Sequence, residues 1–65
     1  MTDKQKQKQL DFLGYYDGYI DGVFGSKSKK ATAEFQRDFG LVADGVFGTK
    51  TEEKANEIIK TIQET

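Results

Sequence analysis

The chain has 65 residues, 10 Lys/Arg against 11 Asp/Glu for a net charge of −1, and neither Cys nor His. That length allows one domain, near the lower limit for a core that folds without staples. The composition excludes disulfides, thiolate chemistry and histidine as a base or zinc ligand, and the charge balance argues against a nucleic-acid partner.

No apolar run approaches membrane-spanning length, and residues 1–5 carry no apolar leader segment, so neither a membrane partner nor a secretory signal is expected. Residues 1–65 read as a single monomeric domain with its core in 10–63. Within 2–9, Lys4, Lys6 and Lys8 scatter around a helix instead of forming a stripe. Residues 1–9 are therefore expected to be a polar, frayed first turn, capped by Thr2 or Asp3, with a basic contact patch as the alternative. Leu10 and Leu13 supply the first apolar contact, and Gly14 ends the helix.

Residues 15–22 are dense in Gly and aromatics. Ile20, Val23 and Phe24 are the core candidates there, and one or two of Tyr15, Tyr16 and Tyr19 are expected to remain on the surface. Ser26–Phe39 reads as the central helix, with Ala31, Phe35 and Phe39 on one face and Gly40 as its stop. Leu41 drops back into the core. Thr49 to Gln63 reads as the last helix, with a Thr49/Glu52 capping box and an apolar face of Ala55, Ile58, Ile59 and Ile62. The fold class is all-α: a small three-helix bundle with two structured turn loops, and at most a residual strand pair where the loops meet.

Both loops carry one phrase, Asp21-Gly22-Val23-Phe24-Gly25 and Asp44-Gly45-Val46-Phe47-Gly48, repeated 23 positions apart. Ser26-Lys27-Ser28 answers Thr49-Lys50-Thr51, and Phe35 answers Ile58. Asp21 and Asp44 read as turn formers that accept backbone N–H bonds, Gly22 and Gly45 as positive-φ positions, and Gly25 and Gly48 as bends into a helix start. Val and Phe are expected to point into the core, and the Ser/Thr hydroxyls to serve the helix N-termini.

A calcium loop fails on this spacing, because Tyr19 and Ser28 fall where carboxylates are required. Asp21 and Asp44 as a glycosidase pair would need an acid cleft that so small a domain has little room for. No catalytic constellation, metal site or cofactor is expected. A binding module is the reading, with Tyr16, Tyr19, Gln36 and Arg37 as the candidate ligand contacts. Gln36 carries a second reading, as an amide that satisfies backbone groups of a neighbouring loop.

The ordered series Leu13-Gly14-Tyr15-Tyr16, Ile20-Asp21-Gly22-Val23-Phe24-Gly25, Ser28, Ala31, Phe35-Gln36, Gly40-Leu41, Asp44-Gly45-Val46-Phe47-Gly48 and Thr51 resembles the type 1 peptidoglycan-binding domain. The resemblance covers roughly residues 10–59. It implies a non-catalytic three-helix module, with peptidoglycan (glycan or stem peptide) as partner, that holds a wall-lytic enzyme at the bacterial cell wall or outside the cell. Lys6 and Asp3 stand where the family prefers apolar residues, which implies looser docking of the first helix. The alternatives are a protein–protein adaptor that keeps the fold without the ligand, and a choline-binding kind of aromatic sugar binder, against which the lack of Trp counts. The fold also occurs in metalloprotease pro-segments, whose inhibitory Cys has no counterpart here.

Overall fold

The computed structural model describes residues 1–64 and contains three helices: α1 (Asp3–Phe12), α2 (Ser26–Asp38) and α3 (Thr49–Glu64). There is no strand among the described residues. The helix that the sequence makes weakest is the one that packs against both others, α1 against α2 and α1 against α3.

The start of α1 is firmly closed. Thr2 Oγ1 accepts the Gln5 N–H at 3.2 Å while Gln5 Oε1 accepts the Thr2 N–H at 2.8 Å, a reciprocal capping box. The expected frayed first turn is thus corrected: 3–12 is helical, and its buried residues are Gln7 and Leu10. The Thr49/Glu52 box is displaced, because α3 already includes Thr49 and the Glu52 N–H bonds to the Gly48 carbonyl. Gly25 likewise stands at the N-cap of α2 with no side-chain cap, so Ser26 does not serve that end.

Both α1 and α2 end on the same device. Gly14 at φ +87° donates to Asp11 O and Tyr15 N–H reaches back to Leu10 O; Gly40 at φ +74° donates to Arg37 O and Leu41 N–H reaches back to Gln36 O. These are paired Schellman closures, which need glycine because L side chains clash at that φ. Each throws the next side chain, Tyr15 or Leu41, back against the core.

The core is Leu10, Tyr16, Ala31, Phe35, Phe47 and Ala55, with Leu13, Tyr15, Ile20, Phe24, Leu41 and Ile58 packed around it. Phe35 is fully buried, and Tyr15 meets its ring edge-on at 5.5 Å. Several expected core residues lie outside: Val23, Val46, Ile62 and, at its margin, Phe39 are exposed. The valines are outward because their carbonyls are used inward, as described below. Ile62 lies in the last turn of α3. Gln9 of α1 bonds Asn56 of α3, and α1 ends three residues later.

The two phenylalanines of the repeated phrase meet each other. Phe24 and Phe47 stand 6.4 Å apart at 77°, and the Lys6 ammonium lies 5.9 and 5.8 Å from their ring centres. A lysine therefore docks α1 onto both loops by cation–π attraction.

Phe35→Ala should cost about 3–5 kcal/mol, enough to leave so small a domain largely unfolded, while Phe12→Ala, at an exposed ring, should cost about 0.5 kcal/mol or less. Thermal melts followed by circular dichroism compare them; equal effects would refute this assignment of the core.

Candidate functional site

The repeated loops are the part of the chain whose geometry is most tightly specified. Each is gripped by one buried glutamine from the preceding helix. In the first loop Gln7 Nε2 donates to Val23 O at 2.8 Å, to Ser28 Oγ at 3.0 Å and to Asp21 Oδ1 at 3.2 Å, while Gln7 Oε1 accepts the Gly22 N–H at 2.9 Å. In the second loop Gln36 does the same with Val46 O at 2.9 Å, Thr51 Oγ1 at 2.9 Å, Asp44 Oδ1 at 3.1 Å and the Gly45 N–H at 3.0 Å. One carboxamide end faces a backbone donor and the other faces acceptors, so each amide has a single orientation that fits. Gln7 is 0% and Gln36 2% exposed.

The aspartates complete each loop locally. Asp21 Oδ1 accepts the Val23 N–H and Asp44 Oδ1 accepts the Val46 N–H, both at 2.9 Å. Gly22 and Gly45 take φ +79° and +74°, and a side chain at Gly45 would also press on the Lys29 carbonyl. Gly25 and Gly48 follow, their N–H groups bonded to Val23 O and Val46 O. Turning the valine carbonyls toward the glutamines leaves Val23 and Val46 pointing outward, at 66% and 63% exposure, while Phe24 and Phe47 turn in. The expectation that both residues of each Val-Phe pair would be core is corrected for the valines.

Above each clamp lies a surface depression. The second-loop groove, of about 390 Å³, has walls of Leu41, Val42 and Val46, with Asp44, Thr49 and Lys50 at its edge. The first-loop groove, of about 290 Å³, is lined by Tyr16, Tyr19, Asp21, Val23, Ser26 and Lys27. The candidate contacts read from the sequence divide between these places. Tyr19 stands out at 88% exposure, whereas Tyr16 is buried and donates its hydroxyl to Tyr19 O at 2.6 Å. Gln36 belongs to the other loop, its amide turned into the clamp. Arg37 is exposed in the last turn of α2 and lines neither groove. The four do not form one face.

Gln7 is the residue that sequence reasoning missed. Its signal lies in Gln36: a glutamine one helix ahead of an Asp-Gly turn and a downstream hydroxyl, Ser28 or Thr51. Among the described residues no cluster of Asp and Glu is placed to hold a metal, and no helix is long and apolar enough to cross a membrane.

Both loop carboxylates are held below their ordinary value of 3.8, first by the Val23 or Val46 N–H and then by the Gln7 or Gln36 amide. On the other side of neutrality, burial and then the bond to Asp38 (2.7 Å) push the Tyr15 phenol up to about 12.

Gln7→Ala strands the Gly22 N–H, takes one of the two donors from the Val23 carbonyl and should cost about 1–3 kcal/mol, whereas Lys8→Ala next to it should cost about 0.5 kcal/mol or less. Equal melting temperatures for the two variants would dismiss the clamp. The pH dependence has a definite sign on each side. The carboxylates contribute stability that is present above the ordinary Asp range and is lost as pH falls through their depressed values; the Tyr15 proton contributes stability that is present below pH 10.0 and is lost as pH rises toward 12. Melting temperatures across pH should fall at both ends. The doubly substituted Asp21→Asn, Asp44→Asn chain should lose the acid limb and Tyr15→Phe the alkaline one.

Comparison with known proteins places this geometry. Residues 4–54, which span α1, both clamped loops, α2 and the start of α3, match the family model described as a putative peptidoglycan binding domain. The chain is 49% identical over 35 residues to a spore cortex-lytic enzyme of Oceanobacillus iheyensis, a stretch that is 54% of this chain and 13% of that protein. It is 44% identical over 37 residues to the N-acetylmuramoyl-L-alanine amidase CwlM of Mycobacterium tuberculosis, covering 57% of this chain and 9% of the amidase. No solved structure matches. The clamps, the paired loops, α2 and the start of α3 all fall within the matched segment, and the chain belongs to the peptidoglycan-binding domain family.

Proposed function

We propose that this domain is a non-catalytic wall-binding module that holds a lytic enzyme on peptidoglycan, at the cell wall or outside the cell. The observation that carries the reading is the family match across both clamped loops. Support comes also from the two relatives, whose names are those of lytic enzymes and of which this chain matches only a small part. A domain of that share is suited to positioning a partner that does the chemistry.

The second-loop groove is the contact surface this reading favours. Its floor is fixed by Gln36, so little ordering is required on binding. Its walls are apolar, with Val42 80% exposed, and Lys50 stands at its edge for an anionic group such as a stem-peptide carboxylate. Tyr19 and Arg37 remain available as outlying contacts, and Tyr16 and Gln36 serve by holding the loops that present them.

Cosedimentation with purified sacculi tests this. The wild-type chain should pellet with sacculi and Val42→Asp should be released, with its melting temperature little changed because the side chain is exposed. Lys50→Ala should weaken retention and flatten its salt dependence. A folded wild-type chain that stays in the supernatant would overturn the reading in favour of a protein–protein adaptor. Retention lost in Arg37→Ala but kept in Val42→Asp would move the contact surface to α2.

A further inference from the structure

We infer that the first loop is a second subsite, related to the second-loop groove by the internal repeat, in which the exposed ring of Tyr19 takes the face of a hexosamine of the glycan strand. The inference rests on the wall-binding reading above and adds a site and a ligand chemistry to it.

The two depressions are built on one scaffold. Asp21, Val23, Gly25, Ser26, Lys27 and Ser28 line the first where Asp44, Val46, Gly48, Thr49, Lys50 and Thr51 line the second, each pair 23 positions apart. The four clamp distances of Gln7 agree with those of Gln36 to within 0.1 Å. What differs is the rim. From the helix-ending glycine to the aspartate the chain advances from Gly14 to Asp21 in the first loop, but only from Gly40 to Asp44 in the second. The three added residues replace an aliphatic rim of Leu41 and Val42 with an aromatic one.

That aromatic rim is fixed in place. The Tyr19 carbonyl accepts the Tyr16 hydroxyl, and Gly18 has no room for a side chain because its Cβ would lie 2.7 Å from that same oxygen. The backbone on either side of Tyr19 is thereby pinned, yet its ring is the most exposed large apolar side chain of the domain. A ring carried outward on a fixed backbone is open to stacking on a flat, weakly polar partner. Beside it are the Ser26 hydroxyl and the Lys27 ammonium. Lys27 pairs with Asp17 at 3.3 Å, but both are well exposed, so the pair is weak and can re-form on a ligand's hydroxyl or acetamido oxygen. A pyranose offers that combination, a C–H face ringed by hydrogen-bonding groups. A nucleobase would stack as well, but its phosphates would meet a chain of net charge −1.

Two subsites of unlike chemistry suit a polymer whose glycan strands carry peptide branches. Each contact then raises the effective concentration of the other.

The test uses peptide-free glycan strands, made by amidase digestion of sacculi, titrated into the labelled protein while amide NMR shifts are followed. Shifts should concentrate at residues 18–28, and Tyr19→Ala should lower affinity for the strands about three- to tenfold with the melting temperature unchanged. Stem peptide should instead shift residues 41–51. If the wild-type chain pellets with sacculi but glycan strands leave residues 18–28 unshifted, or Tyr19→Ala binds the strands as wild type does, the second subsite is refuted and the wall-binding reading stands. If the wild-type chain fails to pellet with sacculi, both fall.

Discussion

The carboxamide of a buried glutamine, used twice, is what the rest of this domain depends on. A loop of Gly, Asp and Val brings backbone N–H and C=O groups to the edge of a small core, and each of those groups is costly if left unpaired. Gln7 and Gln36 each present a donor and an acceptor from one planar group, so a single side chain satisfies the Gly N–H, the Val carbonyl, the Ser or Thr hydroxyl and part of the Asp. Helix, loop and next helix are joined at one point. An apolar residue of similar size would fill the space, leave the Gly N–H bare and take one partner from each of the others.

Polar joints of this kind also explain how so few apolar residues suffice. Among the described residues only six hydrophobic side chains are buried, so surface removed from water cannot by itself fix one arrangement of the loops. Hydrogen-bond direction does. The clamps set which way the Val-Phe pair faces, and that choice brings Phe24 and Phe47 together under Lys6. The first helix is thereby tied to the first loop by the Gln7 amide below the surface and to both loops by the Lys6 ammonium at its edge.

How much of this the sequence reveals follows from the same physics. The three helices, their glycine stops and the paired turns are visible because periodicity and turn chemistry are local. Gln7 is not visible, because nothing local distinguishes it from Gln5 and Gln9 in a Lys/Gln alternation. The 23-residue repeat does not point to it either. Gln36 lies four residues before its helix-ending glycine and Gln7 seven, so the first loop, three residues longer, reaches one helical turn further back along its helix. The exposure of Val23 and Val46 was hidden for a related reason: hydropathy counts side chains, while the deciding group is the carbonyl. Tyr16 was misplaced as surplus because its hydroxyl finds a partner within its own loop, which makes burial affordable. The candidate site is the least legible part: its four residues assume that the Tyr-rich first loop meets α2 in one groove, while the fold buries Tyr16 and Gln36 as supports of two different loops.

Duplication gives this architecture its functional latitude. In each loop the clamp holds the floor from below, so the rim can change without loosening the fold. The first loop is three residues longer and carries a tyrosine pair, the second has a short aliphatic lip, and the clamp geometry beneath them is the same. Were the rim residues themselves the support, Tyr19 could not stand almost fully exposed and Val42 could not face solvent without cost to stability. Because support and display fall to different residues, the two rims can differ in chemistry while the glutamines stay fixed.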